Sequence, residues 1–476
     1  MRWFGLILLC ILSGLLLGTF SVFSPSLFGL LVVSISFVVF FYHDKDNKNY
    51  LIFFFSLLFL IPFQSYSFHL NGRFFMYPPF LMIEFLFLKL LIQNRFRISA
   101  LGFVDFLFFL FFTSAIISTF QAVENPNWSI RFLYAVLIGG YMFYLCLKML
   151  DNRIENLDQV IYKTINFLII IAAIFGIFEY MLKHNSLFPH VPYFDITNPN
   201  GQNVIYRSSA TFDHPLTGAL LYSIFFPYNV LKFLTAAPNQ RWLYGFASFV
   251  LLIAVQTTGS RSGIIFILLS CGILFIMFMY SGIFSFRTNL TILFSFCGIA
   301  PILYLLLKDK FARTFSIFET GLYAADLNRA NSILWAQQVF ADYWVWGMGP
   351  YNSDFLKTDG ASLSGINISS NWGLENSWIS LFLENGLVGT IPFILLQLYC
   401  MYCLLWALRK PASLEQRVLL ISIFTAIVIQ NISFGTKNAS HAYLTWILYF
   451  LFFFLSERIK NQLIKQNFPS KLEESI

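Results

Sequence analysis

"VIYKTINFLIIIAAIFGIFEYML", residues 160–182, is an apolar run whose only charged residues, Lys163 and Glu179, lie near its ends. A helix of this length spans the roughly 30 Å hydrocarbon core of a bilayer. The apolar residues follow one another without the alternation of a membrane β-strand, which excludes a β-barrel. The stretch therefore predicts a membrane-spanning α-helix.

Similar runs recur along the whole chain. The 476 residues are 58% hydrophobic and 11% charged, with a mean hydropathy of +0.70. We expect spans near residues 3–22, 26–42, 50–68, 78–93, 100–118, 130–149, 160–182, 216–235, 242–258, 263–281, 289–307, 386–408, 415–434 and 441–455. Two of these runs, 242–258 and 441–455, are short enough to be tilted or re-entrant. The sequence predicts an all-α polytopic membrane protein with about 12–14 transmembrane helices in a single integral membrane domain, 1–476.

The distribution of Lys and Arg predicts the orientation of the spans. With the amino terminus inside, the inner segments and the tail carry most of these residues, which is the positive-inside pattern. Both termini are then cytoplasmic, and residues 456–476 form a cytoplasmic tail. The net charge of +7 follows from this topology and gives no indication of nucleic acid binding. Two outer segments are long, 183–215 and 308–385, so we expect any chemistry on these loops and the helix ends beside them.

The first outer loop ends in "YRSSATFDHPLTGALL", residues 206–221, which places Arg207 just before a span. Pro215 suits a first helical turn, so Asp213 or His214 is expected to cap the helix that follows. For His214 this structural role stands beside a role in substrate binding. Arg207 either extends to lipid headgroups or binds an anionic substrate.

A second arginine lies on a short turn between two spans, in "VQTTGSRSGII", residues 255–265. A turn that opens a helix offers free backbone N–H groups and the positive end of the helix dipole. Together with the guanidinium of Arg261, these groups suit an anion. The spacing excludes a Walker phosphate-binding loop.

The large outer loop contains "NRANSILWAQQVFADYWVWGMGPYNSDF", residues 328–355. Its apolar residues have helical spacing, and the Gly-Met-Gly-Pro sequence at 347–350 ends the pattern. We expect an amphipathic helix in the membrane interface, with Arg329 at its start. The tryptophans that follow either form an interfacial belt or stack on sugar rings.

The same loop runs into the next span through "GLENSWISLFLENGLVG", residues 373–389. Residues 376–383 are expected to form one or two helical turns, with Glu375 at or near the N-cap, and residues 384–386 to break the helix. Glu375 is either a plain cap or a group that takes part in chemistry. Glu384 is expected to have a structural role.

These four stretches, taken in order, resemble the O-antigen ligase and polymerase superfamily of bacterial envelope glycan assembly. The elements are an Arg followed by T-F-x-H-P, an S-R pair, an R…W…G-x-G segment in a large outer loop, and N-x-x-I-x-x-x-x-E-x-G-x-x-G entering a span. The motifs cover residues 200–390, and the helix layout resembles that family over the whole chain.

The resemblance implies a metal-independent, inverting glycosyltransferase without a cofactor, broadly like the GT-C class and located in the bacterial inner membrane. Members transfer a glycan from an undecaprenyl-diphosphate carrier on the periplasmic face, either to lipid A-core (ligases) or to another carrier-linked unit (polymerases). Other envelope glycan assembly proteins are possible partners. Arg207 and Arg261 match the family's diphosphate-binding arginines, while Arg329, His214 and Asn376 are further substrate-binding candidates.

One position departs from the ligase pattern. Family ligases have a His before the Asn of the last motif, and here that position is Glu375. An acidic residue there is similar to polymerase-like members, so the resemblance favours a polymerase in which Glu375, Arg207 and Arg261 act in catalysis. A carboxylate can serve as a base where a partly dry environment raises its pKa.

Two other function classes remain open at this point. A lipid-linked oligosaccharide flippase would have a similar number of spans, but it should show charges inside the spans and uniformly short loops. A non-catalytic scaffold or lipid-binding protein leaves the outer arginines unexplained.

The predicted topology can be tested with reporter fusions. Alkaline phosphatase fused after Asp359 should be active, because the 308–385 loop faces outward, and the same reporter fused after Arg417 should be silent. The reverse activities would place the candidate residues on the cytoplasmic side of the membrane and contradict the predicted topology.

Overall fold

The computed structural model is a bundle of long helices. It describes residues 34–35, 47–62, 68–70, 74–94, 101–122, 126–151, 153–188, 194–197, 203–212, 214–281, 333–334, 336–337, 339–353, 376–410, 412–435 and 443–467. The predicted spans 3–22 and 289–307, and all but two residues of 26–42, lie outside this set.

Eleven longer helices make up most of the described chain. They are α1 (Lys48–Leu60), α2 (Pro78–Gln93), α3 (Phe103–Phe120), α4 (126–151, in which Ala135–Met142 is π-helical), α5 (Leu157–Leu182), α6 (Pro215–Thr235), α7 (Pro238–Thr257), α8 (Arg261–Ser281), α9 (Ser377–Leu408), α10 (Leu414–Phe434) and α11 (Tyr443–Asn467). A short helical stretch ends at residue 343.

Two short antiparallel hairpins lie in connections between helices, and the sequence analysis did not predict them. In one, β1 (Phe68–Leu70) pairs with β2 (Phe74–Met76). In the other, β3 (Phe194–Thr197) pairs with β4 (Asn203–Arg207), with Phe194 opposite Arg207. The second hairpin therefore belongs to the first predicted outer loop and ends on a candidate arginine.

The helical membrane class is confirmed. Among the described residues, six helices are long and apolar enough to cross a membrane: Phe103–Phe120, Ser129–Asp151, Leu157–Leu182, Arg261–Ser281, Ser377–Leu408 and Leu414–Phe434. Several helix bounds follow the predicted runs closely, as for α2, which was predicted at 78–93. The span predicted at 50–68 is wrong at its end, because α1 stops at Leu60 and Phe68 already belongs to strand β1. The total of 12–14 spans, the GT-C-like arrangement and the side of each loop stay predictions.

The carboxyl-terminal helix is longer than expected. The sequence predicts a tail from residue 456, whereas α11 continues to Asn467. Arg458, inside this extension, is 6% exposed and donates to the carboxylates of Asp151 and Asp158. A buried charge needs such partners, and these ion pairs hold the extension against the end of α4 and the start of α5.

Aromatic rings around Trp446 bring four helices together. The fully buried Trp446 of α11 lies 5.9 Å from Phe111 of α3, 5.3 Å from Phe132 of α4 and 5.5 Å from Phe393 of α9, measured between ring centroids. Lipid tails are as apolar as these side chains, so close packing rather than the hydrophobic effect stabilises such contacts.

The two ends of the bundle differ in chemistry. At one end, the basic end, Glu415 accepts from Lys163 at 3.0 Å and from Lys232 at 3.3 Å, and Lys148 pairs with Asp105 at 3.0 Å. At the other end, here called the loop end, α1, α5 and α7 finish and α6, α8 and α9 begin. The predicted inner and outer segments therefore separate to opposite ends of the bundle, and the side of the membrane that each faces stays a prediction.

Helix α9 is interrupted at the position predicted from its Glu-Asn-Gly sequence. Gly386 has φ +62° and ψ −172°, which a residue with a side chain adopts only under strain. The main chain of residues 344–349 fills the interruption: Met348 N donates to Leu383 O at 2.9 Å, and Leu387 N donates to Trp344 O at 2.8 Å. The Gly-Met-Gly-Pro segment of one motif thus pairs with the helix break of another.

Replacing Gly386 by Ala should destabilise the protein. A Cβ there would lie 2.1 Å from the carbonyl oxygen of Val345, and the positive φ adds about 1–3 kcal/mol of backbone strain. We expect Gly386→Ala to lower the thermal midpoint of the purified protein in detergent. Gly272→Ala is the matched control, because a Cβ at Gly272 meets nothing within 4 Å. Equal midpoints for the two variants would contradict the packing of 344–349 on the break.

Candidate functional site

Arg207 lies at the point where strand β4 meets the end of helix α7. Its Nε donates to the carbonyl oxygen of Thr258 at 2.9 Å, and the next residue, Ser208, donates its N–H to the carbonyl oxygen of Thr257 at 3.0 Å. These two bonds satisfy carbonyl groups at the end of α7 that have no partner within the helix. They also fix the guanidinium against the turn that leads to Arg261.

The turn between α7 and α8 is shaped to receive the Arg207 side chain. Gly259 has φ +60°, and a Cβ there would lie 3.3 Å from Cγ of Arg207. Ser260 caps α8, since its hydroxyl accepts from the N–H of Gly263 at 3.3 Å. Arg261 is the first residue of α8, where N–H groups and the helix dipole favour an anion. Two arginines that lie 54 residues apart in sequence therefore meet the same turn.

A buried carboxylate holds the other side of this segment. Glu179, in the last turn of α5, is 2% exposed. It accepts from the Tyr206 hydroxyl at 2.6 Å, the Ser208 hydroxyl at 3.1 Å, and the N–H groups of Ser209 and Ala210 at 3.1 and 2.6 Å. The sequence analysis noted Glu179 only as a charge near the end of a span. The hydroxyl-rich YRSSAT sequence was the signal that could have indicated a partner for it.

Further bonds fix the residues that follow Arg207. Ala210 has φ +53°, and its carbonyl oxygen accepts from the Asn185 side chain at 2.9 Å. The Thr211 hydroxyl donates to the carbonyl oxygen of Phe59, at the end of α1, at 2.7 Å. Residues 206–212 therefore lie between α1, α5 and α7 with their polar groups directed to named partners.

His214 caps α6, which was one of the two roles considered for it. Its Nδ1 accepts from the N–H of Leu216 at 3.1 Å, and Pro215 occupies the first helical position. The cap positions the helix that follows the Arg207 segment. A role of His214 in substrate binding stays a prediction.

Asn376 is the N-cap of α9. Its side-chain oxygen accepts from the N–H groups of Trp378 and Ile379 at 3.0 and 3.2 Å. The N-cap is thus the residue that follows Glu375 in the sequence. Asn376 has a structural role here, and its role in substrate binding stays a prediction.

Glu384 is fully buried at the break of α9. One of its carboxylate oxygens accepts from the hydroxyl of Ser353, and its main-chain oxygen accepts from the Ser118 hydroxyl and from Gly349 N. These bonds connect α9 with the end of α3 and with the Gly-Met-Gly-Pro segment. The contacts agree with the structural role expected for Glu384.

The helix predicted in the large outer loop is described only in part. Ala336 is buried against Leu383 of α9, while Trp344 and Trp346 are 51% and 36% exposed. Exposed tryptophans beside a helix break suit either a membrane interface or a sugar ring. Arg329 and Glu375 lie outside the described residues, as does Asp213, the alternative cap for α6.

The arrangement around Arg207 and Arg261 can bind an anion and stabilise negative charge on a departing group. A guanidinium keeps its charge and can grip two phosphate oxygens with its planar fork. Comparison with protein-family models found no match, and comparison with curated proteins found no similar sequence. The resemblance to the O-antigen ligase and polymerase superfamily therefore rests on the four motifs and stays a prediction.

Proposed function

We propose that this chain is a membrane glycosyltransferase of the O-antigen polymerase type, which extends a glycan carried on undecaprenyl diphosphate at the periplasmic face of the inner membrane. One observation supports it most. Arg207, anchored by its bond to Thr258 O, lies against the turn that carries Arg261 at the start of α8. The order of the four motifs predicted a shared diphosphate site for these two residues.

The chemistry assigns a role to each group. Arg207 and Arg261 bind the diphosphate and stabilise its charge as it leaves, which requires neither a metal nor a cofactor. Glu375 activates or orients the acceptor hydroxyl, and Arg329 contributes to glycan binding. The acceptor is another carrier-linked repeat unit, so the oxygen of that unit replaces the diphosphate at the anomeric carbon with inversion.

Conservative replacement of the two arginines tests the diphosphate site. Arg207→Lys and Arg261→Lys keep the charge but lose the fork, so each should lower polymer formation by roughly tenfold or more. Arg241→Lys is the matched control: Arg241 also donates Nε to a carbonyl oxygen, that of Ala236 at 2.9 Å, but at the basic end. The measurement is surface glycan length on gels, normalised to the amount of membrane-inserted protein.

Normal polymer from both lysine variants would mean that the arginines only anchor the chain to lipid headgroups. Reduced polymer from Arg241→Lys as well would show that any loss of an arginine fork disturbs the bundle. Either result would remove the support for a diphosphate site.

The role of Glu375 needs a separate test. Asn376 is the N-cap of α9, and the proposal gives the carboxylate at 375 a chemical role. Glu375→Gln keeps the size and removes the basic oxygen, so it should abolish polymer while the protein still inserts. Asn376→Ser, which keeps a capping oxygen, should insert normally and serves as the control. Near-normal polymer from Glu375→Gln would exclude this residue as the base.

The ligase is the second candidate, because the same motif order occurs in that group. Deletion of the gene separates the two. If the deletion leaves single repeat units but no polymer on the surface glycan, the protein is a polymerase. If polymer accumulates on the carrier lipid instead, the protein is a ligase that transfers it to lipid A-core.

A further inference from the structure

Glu179 and the turn at the end of α7 contact opposite sides of the chain where strand β4 ends. Tyr206 and Ser208 face Glu179, whereas Arg207, between them in the chain, faces the turn after α7. The first two donate their hydroxyls to Glu179, and Arg207 donates to Thr258. The position of the guanidinium is therefore set from both sides.

The Glu179 side chain has the charge and the length that its hydrogen-bond partners require. An ionised carboxylate only accepts hydrogen bonds and offers about four lone-pair sites. Four donors from residues 206–210 point at it: two hydroxyls and two main-chain N–H groups. Gln in this place would turn an NH2 group toward donors, and Asp would be one methylene too short to reach across from α5.

Glu179 has no direct access to a ligand. It is 2% exposed, and its hydrogen bonds go to the protein. Any effect that it has on an anion at the loop end must pass through the segment that it holds, and Arg207 is the charged residue of that segment.

We infer that Glu179 is a positioning residue that fixes Arg207 on the α7–α8 turn and thereby sets the affinity for a diphosphate group. This inference rests on the proposed function and deepens it. It gives a functional reason for the carboxylate of Glu179, because a buried charge near the end of a span is energetically costly.

A double-mutant cycle on the purified full chain in detergent tests the inference, with inorganic pyrophosphate as the probe. Glu179→Gln should weaken pyrophosphate binding on the order of tenfold, a coupling that is typical of residues in one hydrogen-bond network. In an Arg207→Ala background the same change should cause almost no further loss, because Glu179 acts through Arg207. Additive losses would overturn the inference, since a general loss of structure weakens binding in either background.

Glu84→Gln is the control. Glu84 lies in helix α2 and also accepts from a tyrosine hydroxyl, that of Tyr134 at 2.8 Å, but it has no bond to residues 206–210. Its replacement should leave pyrophosphate binding unchanged. If Glu179→Gln fails to fold, Ser208→Ala removes one of the four bonds, and it should give a smaller loss with the same dependence on Arg207.

Hydrogen exchange separates failure of this inference from failure of the proposed function. Glu179→Gln should speed amide exchange in peptides covering 206–212, where Ser208, Ser209 and Ala210 donate their N–H groups. Unchanged exchange there would overturn the positioning role. Equal pyrophosphate affinity of the wild type and Arg207→Ala would instead overturn the diphosphate site. The exchange result would still show whether Glu179 holds residues 206–212 in place.

Discussion

The absence of water from the bilayer core is the constraint on which this structure depends. Each unsatisfied main-chain group there costs several kcal/mol, so any interruption of a helix must be filled by another segment. Two such places lie at the loop end within the described part of the chain. The break of α9 is filled by residues 344–349, and the end of α7 is completed by Arg207 and Ser208. Segments that look independent in the sequence are therefore each other's hydrogen-bond partners.

The same constraint explains how a carboxylate can be buried at the end of α5. Transfer of a charge from water into the protein costs several kcal/mol even after relaxation. Hydrogen bonds to a charged group return about 1.5–3 kcal/mol each, and Glu179 accepts four of them. Loss of any one of the four donors weakens this compensation. The same hydrogen bonds also offset the left-handed backbone of Ala210, whose strain costs about 1–3 kcal/mol.

Much of the fold was accessible from hydropathy and from local signals. Apolar runs located α2 and α5, Pro215 indicated the start of α6, and the Glu-Asn-Gly sequence indicated the break in α9. The sequence missed what depends on contacts between distant segments. Nothing local shows that Glu179 faces residues 206–210, or that Arg458 pairs with Asp151 and Asp158 and so keeps α11 in the bundle. Each partner there lies at least 27 residues away, and single-sequence patterns do not report such pairings.

Two buried carboxylates at the loop end show how a helical membrane protein can present an ordered polar site. Glu179 holds the segment of Arg207, and Glu384 holds Ser353, next to the Gly-Met-Gly-Pro segment. Both acids lie near the loop end of a membrane-spanning helix and accept hydrogen bonds from a loop. Because the helix is rigid, its carboxylate keeps these hydrogen bonds only while the loop stays in place against it. Arg207 and the Gly-Met-Gly-Pro segment are thereby fixed to the helices, and the geometry of the loop end becomes a property of the bundle.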